Sequence, residues 1–322
     1  MALYKIGSKG DEVRKIQDRL KSLGFYRSSI DGMFGGGTDA AVKTYQSEKD
    51  LQVDGIVGPQ TWKVLFEEEI QEPQIFKLDL DYKCLALTGS FETGKGIPDC
   101  FAGLSGDFDG QGMSFGVLQW NFGQNSLQPL LEDMINDYPD TIQAIFQSDF
   151  AVLMEVLAAE KDDLMTFVRS IQHPVKHYFY EPWKGRFKAL GRMQEFQNIQ
   201  VRCADGLYKA ALRLCSDYEL WSERAVALMF DIKVQNGNIS RLVRSQIRSE
   251  IGNLPEDSEQ VELEVEKMRI VANRRAEASN SRWVEDVRAR KLCIANGKGF
   301  VHGIHLGLEE QFGISLDRTI DV

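Results

Sequence analysis

Apolar residues recur at helical spacing through most of the chain. Val13, Ile16, Leu20 and Leu23 fall three and four apart with Gln17 on the same face, which predicts a helix that stops at Gly24. Asp39–Lys49 and Trp62–Phe66 read as two further helices, each following a glycine-rich turn. From Leu78 to Phe91, the positions of Leu78, Tyr82, Leu85 and Phe91 predict a buried helix that delivers Glu92 at its C-terminal end. The pattern then changes. Ser105–Asp109 and Ser114–Trp120 suit two strands, with the glycines around Gln111 as the turn of a hairpin. Gln119 and Asn121 alternate with Leu118 and Trp120, so one face is expected to be polar. Past Asn121 helical periodicity returns, with helices expected at 126–137, 140–147, 149–158, 161–172, 183–196, 205–216, 219–234, 239–251, 259–292 and 303–312. In 259–292 the apolar positions Val261, Val265, Met268, Val271 and Ala272 predict one long backing helix.

An internal repeat lies near the N-terminus. Asp31-Gly32-Met33-Phe34-Gly35-Gly36-Gly37-Thr38 recurs as Asp54-Gly55-Ile56-Val57-Gly58-Pro59-Gln60-Thr61, the pattern D-G-x-x-G-x-x-T twice. The glycines suit tight turns, and each Thr is placed to cap the helix that follows. Residues 1–66 thus form a three-helix module. The acidic, Pro-containing stretch 67–76 reads as a linker, and 77–322 as a second domain.

The module resembles the peptidoglycan-binding domain type 1 family. The pattern is carried by Gly7, Gly10, Val13, Ile16-Gln17, Leu20, Leu23-Gly24, Asp31-Gly32, Phe34-Gly35, Thr38, Ala41-Val42, Gln46, Leu51, Val53-Asp54-Gly55, Val57-Gly58 and Thr61-Trp62. The resemblance implies a cell-wall ligand held in a shallow groove. Asp31, Phe34, Tyr45 and Asp54 are the candidate groove residues, with an alternative in which the two aromatics are core and the two aspartates form turns.

The stretch from Glu92 to Asn121 carries the candidate chemistry. Gly94, Gly96, Pro98, Gly103 and Gly106 force a loop between Glu92 and a second set of acids. Cleavage of a glycosidic bond uses two carboxyls, one protonating the leaving oxygen and one activating water. Leu85, Leu87 and Phe91 precede Glu92, and apolar surroundings would help it keep a proton. Asp109, among Gly110, Gln111 and Gly112, suits an ionised base, and Asp107 competes with it should the strand register shift by two.

Asp109-Gly110-Gln111-Gly112-Met113-Ser114-Phe115-Gly116 is similar to the D-G-x-G-x-T-x-G segment of glycoside hydrolase family 46, with Ser114 in place of Thr. That resemblance implies Asp109 as base and the Ser114 hydroxyl as a holder of the attacking water. Gly116-Val117-Leu118-Gln119 resembles a segment of goose-type lysozymes and lytic transglycosylases in which the Gln borders the sugar site. The implied fold is mainly α: the small three-helix module, then a lysozyme-like α+β domain of many helices and one small hairpin sheet. The implied activity is that of a muramidase cleaving the MurNAc–GlcNAc β-1,4 bond with inversion, Glu92 as acid, and Asp107, Gln119 and Asn121 lining the glycan. Alternatives are a lytic transglycosylase, a chitosanase-like glycosidase, and a wall-binding protein with an inactive lysozyme fold. The domain order resembles that of modular phage endolysins, with a bacterial effector as an alternative.

Composition narrows the setting. A net charge of −10 over 322 residues, with residues 1–66 near +2, argues against nucleic acid or an anionic membrane as partner. No run of about eighteen apolar residues is evident, so no membrane insertion is expected. Met1–Gly7 lacks the features of a secretory signal, so the expectation is synthesis in the cytoplasm and action on periplasmic peptidoglycan by a monomer. The odd cysteine set Cys84, Cys100, Cys203, Cys215 and Cys293 suits reduced thiols, with a Cys84–Cys100 disulfide as the alternative. His173/His177 and His302/His305 have helical spacing, but Pro174 and Gly303 interrupt it and no shell completes it, so neither metal nor cofactor is expected. Arg269, Arg274, Arg275, Arg282, Arg288, Arg290 and Lys291 read as a solvated face, from which one or two arginines are candidates to pair with Glu92 or Asp109.

Overall fold

A computed structural model describes residues 3–70, 73–255 and 259–320. Gln71 and Glu72 of the expected linker lie outside the described residues, as do Met1 and Ala2. The protein is mainly helical with two small antiparallel sheets. The helices are α1 Asp11–Ser22, α2 Gly36–Glu48, α3 Pro59–Phe66, α4 Leu80–Thr93, α5 Gln128–Asp137, α6 Pro139–Phe146, α7 Phe150–Ala158, α8 Lys161–Ser170, α9 Trp183–Arg192, α10 Gln194–Asp217, α11 Glu223–Asn236, α12 Arg241–Ile251, α13 Gln260–Glu277, α14 Val284–Ala295 and α15 Leu308–Phe312. The strands are β1 Leu104–Ser105, β2 Ser114–Phe115, β3 Trp120–Asn121, β4 Lys298–Val301 and β5 Ile304–Gly307. The chain divides into two compact units, residues 1–96 with 206–322 and residues 97–205.

In the first unit, α1–α3 enclose a core of their own that includes Val13, Ile16, Leu20, Phe34, Tyr45 and Trp62. The repeated motif is explained by two buried glutamines. Gln17 Oε1 accepts from Gly32 N at 2.9 Å, while its Nε2 donates to Asp31 Oδ1, Met33 O and Thr38 Oγ1 at 2.8, 3.0 and 3.1 Å. Gln46 repeats this with Gly55 N, Asp54 Oδ1, Ile56 O and Thr61 Oγ1 at 2.9, 2.9, 3.0 and 3.2 Å. Each amide satisfies a turn that glycine permits, since Gly32 and Gly55 have φ of 73° and 78°. The threonines therefore do not cap their helices. Gly35 and Gly58 stand at the N-caps, the helices start earlier than expected, and each Thr turns inward to its glutamine.

The rest of this unit packs α4, α11, α13 and α14 together. α4 and α11 are buried almost all round, from Tyr82 to Phe91 and from Arg224 to Ile232, as central helices should be. Ser222 caps α11 by accepting from Ala225 N at 3.1 Å, and Ser240 caps α12 by accepting from Val243 N at 3.3 Å. The single helix expected over 259–292 is two. α13 ends at Glu277, and Asn280 accepts from Arg282 N at 3.1 Å to start a short 3₁₀ turn that leads into α14. Part of the helix expected at 303–312 is instead a hairpin. His302 and Gly303 have φ of 51° and 79°, the two left-handed residues that a tight β4–β5 turn requires, and register pairs Val301 with Ile304.

In the second unit, Met113, Phe115, Phe122, Leu131, Phe146, Phe187 and Phe196 belong to one apolar cluster. Gly191 on α9 brings the helix against the 3₁₀ turn Asp99–Ala102, where an added Cβ would lie 2.6 Å from Ala102 Cα. The helix expected at 183–196 breaks at Met193, whose backbone is extended, and α10 starts at Gln194, well before the expected 205. The stretch Pro139–Ala158 reaches a mean hydropathy of 1.2 and the length of a membrane-crossing helix, but it is neither an apolar run nor one unbroken helix. It is divided between α6 and α7 by Gln147, whose φ is 51°, and a 3₁₀ turn.

Candidate functional site

Glu92 occupies the last turn of α4, and Gly94 ends the helix in a left-handed conformation with φ of 69°. The helix is buried through Phe91, so Glu92 is where it emerges. The apolar setting expected for this carboxyl is not what surrounds it. Its side chain is 40% exposed, and Arg290 Nη1 donates to Oε1 at 2.7 Å.

Arg290 in turn is anchored from behind. On α11, Asp231 is fully buried and accepts from Arg290 Nε at 3.0 and 2.9 Å and from Nη2 at 2.6 Å. Lys291, the next residue of α14, donates to the same carboxylate and, at 2.7 Å, to Gln235 Oε1. Thr88, one turn before Glu92, donates to Asp231 Oδ1 at 3.2 Å. The guanidinium also lies 4.7 Å from the Phe91 ring centre, a cation–π contact. One buried carboxylate thus fixes two buried cations, and one of those cations reaches the exposed carboxylate.

The electrostatics follow from this arrangement. Burial disfavours an ionised Asp231, but Arg290 and Lys291 outweigh it and hold the carboxyl down at about 2. For Lys291 burial wins over the attraction of Asp231, and its ammonium is pushed down to about 8. Arg290 is also penalised by burial, yet Asp231 and then Glu92 raise it above its ordinary value, so it is a permanent cation.

The remaining catalytic candidates belong to the second unit. β1, β2 and β3 form a three-stranded sheet in which Ser114 pairs with both Ser105 and Asn121. The strands are shorter than the expected hairpin, and a third strand is added. Neither Asp107 nor Asp109 is in a strand, so register does not separate them. Asp107 is half-buried and accepts from Gly112 N at 2.9 Å; Asp109 is exposed at the loop tip and accepts from Gln111 N at 3.1 Å. The expected alternation through Leu118–Asn121 is absent because residues 116–119 form a turn. Gln119 has φ of 57° and donates to Gly116 O at 2.8 Å, and Gln200 Oε1 holds Val117 N at 2.8 Å. Asn121 is buried, and its Oδ1 accepts from Gln124 N at 2.9 Å.

In the N-terminal module, Phe34 and Tyr45 are core residues, each 2% exposed, and the Tyr45 hydroxyl donates to Val64 O at 3.0 Å. Asp31 and Asp54 each spend one oxygen on a turn, accepting from Met33 N at 2.9 Å and Ile56 N at 2.8 Å. Beside those turns Met33 and Val53 are exposed, 47% and 54%.

All five cysteines are free thiols. Among the described residues no group of His, Cys, Asp and Glu side chains is arranged to hold a metal. Sequence reasoning missed Asp231 and Thr88, and it read Arg290 and Lys291 as part of a solvated face, whereas both are buried. The signal available was an Asp on an otherwise apolar face of α11, which demands a buried counter-charge.

Residues 9–65 match the family described as a putative peptidoglycan binding domain, so the N-terminal module belongs to it. A spore cortex-lytic enzyme of Halalkalibacterium halodurans is 36% identical over 92 residues, 29% of this chain and 26% of that protein. The chain thus spans about a quarter of that relative's length. Among solved structures, a native chitosanase from Bacillus subtilis is 16% identical, with a TM-score of 0.40, over 68% of this chain and 86% of the other. A Burkholderia AP3 phage endolysin is 17% identical, with a TM-score of 0.20, over 73% of this chain and 97% of the other.

Proposed function

We propose that this protein is a peptidoglycan hydrolase of the glycosidase type, with the N-terminal module as its anchor on the wall. Two observations support the wall as substrate: the family of the module, and the similarity to a protein named for lysis of the spore cortex. The observation that carries the chemistry is the held carboxylate of Glu92. Arg290 fixes Oε1 and is itself fixed by Asp231, so that in the protonated form of Glu92 Oε2 carries the proton that passes to the leaving oxygen, and the carboxylate left behind is stabilised by Arg290. In this reading Asp109 activates water, the Ser114 hydroxyl holds that water, and attack inverts the sugar at the MurNAc–GlcNAc β-1,4 bond. In the same reading Asp107, Gln119 and Asn121 line the bound glycan. The anchor concentrates the enzyme on a polymer, so a weak encounter with each bond suffices.

A second reading has one specific observation in its favour. Only Glu92 has a buried scaffold behind it, while Asp109 accepts a single bond from its own loop. That asymmetry suits a lytic transglycosylase, in which one acid works and the substrate closes a ring on itself. Mass analysis of fragments from purified peptidoglycan separates the two. Reducing muropeptides support hydrolysis, products lighter by one water support transglycosylation, and free stem peptides with an intact glycan would refute both.

A further inference from the structure

The end of α4 is closed from outside the helix. The last carbonyls of an α-helix have no partner within it, and a cation from elsewhere can take one of them while complementing the negative end of the helix dipole. Gly94 ends α4 two residues past Glu92, and Lys9 Nζ of the N-terminal module donates to its carbonyl oxygen. Lys9 is half-buried, and burial pushes its ammonium down to about 8. Among the described residues no carboxylate pairs with it. The backbone beneath it is fixed as well: Lys9 pairs with Met33, and Gly10 N donates to Gly32 O at 3.0 Å, so the side chain starts from the turn that Gln17 holds. Two glycines, one on each side, let the chain segments meet. A Cβ on Gly96 would lie 2.8 Å from Lys9 C and 2.9 Å from Gly10 N, and a Cβ on Gly7 would lie 2.4 Å from His305 O of β5. Lys5 adds an ion pair to Glu310 of α15 at 2.7 Å, but at 42% and 39% exposure that pair contributes little.

We infer that Lys9 is a positioning residue for Glu92, supplied by the module that otherwise serves only as an anchor. Arg290 fixes one carboxylate oxygen of Glu92, and Lys9 fixes the helix end from which that side chain projects. Loss of Lys9 frees the last turn of α4 to open, and Glu92 then spends less time in the geometry that reaches the leaving oxygen. Turnover suffers while affinity for the glycan does not, because Lys9 is spent on a backbone carbonyl and not on a ligand. The inference rests on Glu92 as the acid and goes beyond that reading by making the anchor part of the framework of turnover.

The test compares full-length native protein, Lys9→Met, Lys9→Arg and Lys5→Ala on soluble glycan strands prepared from peptidoglycan, where adhesion to an insoluble wall plays no part. Lys9→Met should lower kcat about tenfold with KM within about twofold of native, and should quicken amide exchange at Thr93 and Gly94. Lys9→Arg keeps a cationic donor and should recover most of the lost kcat, while Lys5→Ala should stay near native. Gly96→Ala, whose new Cβ pushes Lys9 away, should reproduce the loss by a second route. Co-sedimentation with whole wall should be unchanged throughout. A native kcat in Lys9→Met, a rise in KM alone, or no recovery in Lys9→Arg would overturn the positioning role. No release by native protein refutes the hydrolase and the positioning role together, whereas native release that Lys9→Met leaves unchanged refutes the positioning role alone.

Discussion

Arg290 reaches Glu92 with one nitrogen at 2.7 Å and grips the buried Asp231 with the others. A guanidinium can do this because its planar fork offers several donors in fixed directions, and an ammonium cannot. Arg290→Lys should therefore keep the charge and lose the bridge. Expected is a fall in kcat of at least about tenfold with little change in KM, read as muropeptide release over a range of substrate concentrations. An unaltered kcat would mean that Glu92 needs no positioning by Arg290.

Removing Asp231 leaves the buried Lys291 without a carboxylate and the buried Arg290 with Glu92 alone. Asp231→Asn should destabilise the fold by about 3–5 kcal/mol, measured by denaturant unfolding, whereas exposed pairs such as Lys63–Glu69 should contribute little when broken.

Acid should act through the same residue. In the unfolded chain Asp231 titrates near about 3.9, and in the fold it is held at about 2. Its contribution to stability is fully present above the unfolded value and is lost as pH falls through the folded one. Unfolding free energy measured from pH 5 to pH 2 should decline in that window, and the Asp231-dependent part of the decline should vanish in Asp231→Asn.

In the N-terminal module, Gln17→Ala and Gln46→Ala each strip a buried hub and leave a glycine N–H and a threonine hydroxyl unpaired. A loss of about 1–3 kcal/mol is expected for each, seen as faster amide exchange at Gly32 or Gly55. Because the two hubs are equivalent, each variant should expose mainly its own turn.

Much of this was legible in the residues. Glycine turns, helical periodicity and the doubled D-G-x-x-G-x-x-T pattern located the module and the helix before Glu92, because those features are local. The role of Thr38 and Thr61 was not legible, since the hydroxyl expected to cap a helix is taken by a glutamine 21 or 15 residues away. Arg290 stood out only as one of a basic group; its separation from Arg288, which pairs with nearby Glu285, depends on which side of α14 meets α11. The 259–292 segment hid its break because Ser279 and Asn280 interrupt a pattern that is apolar on both sides. The β4–β5 hairpin was missed because its turn rests on His302, a residue without a strong turn signature, preceding Gly303.

The central claim is that Glu92 delivers the proton that breaks the glycan. Its most direct measurement compares native protein and Glu92→Gln on purified peptidoglycan, scoring new reducing ends in the digest and protein co-sedimenting with the wall. The account predicts that Glu92→Gln releases no reducing ends, a loss of at least about a thousandfold, while co-sedimentation is unchanged. Reducing ends released by Glu92→Gln at the native rate would contradict it.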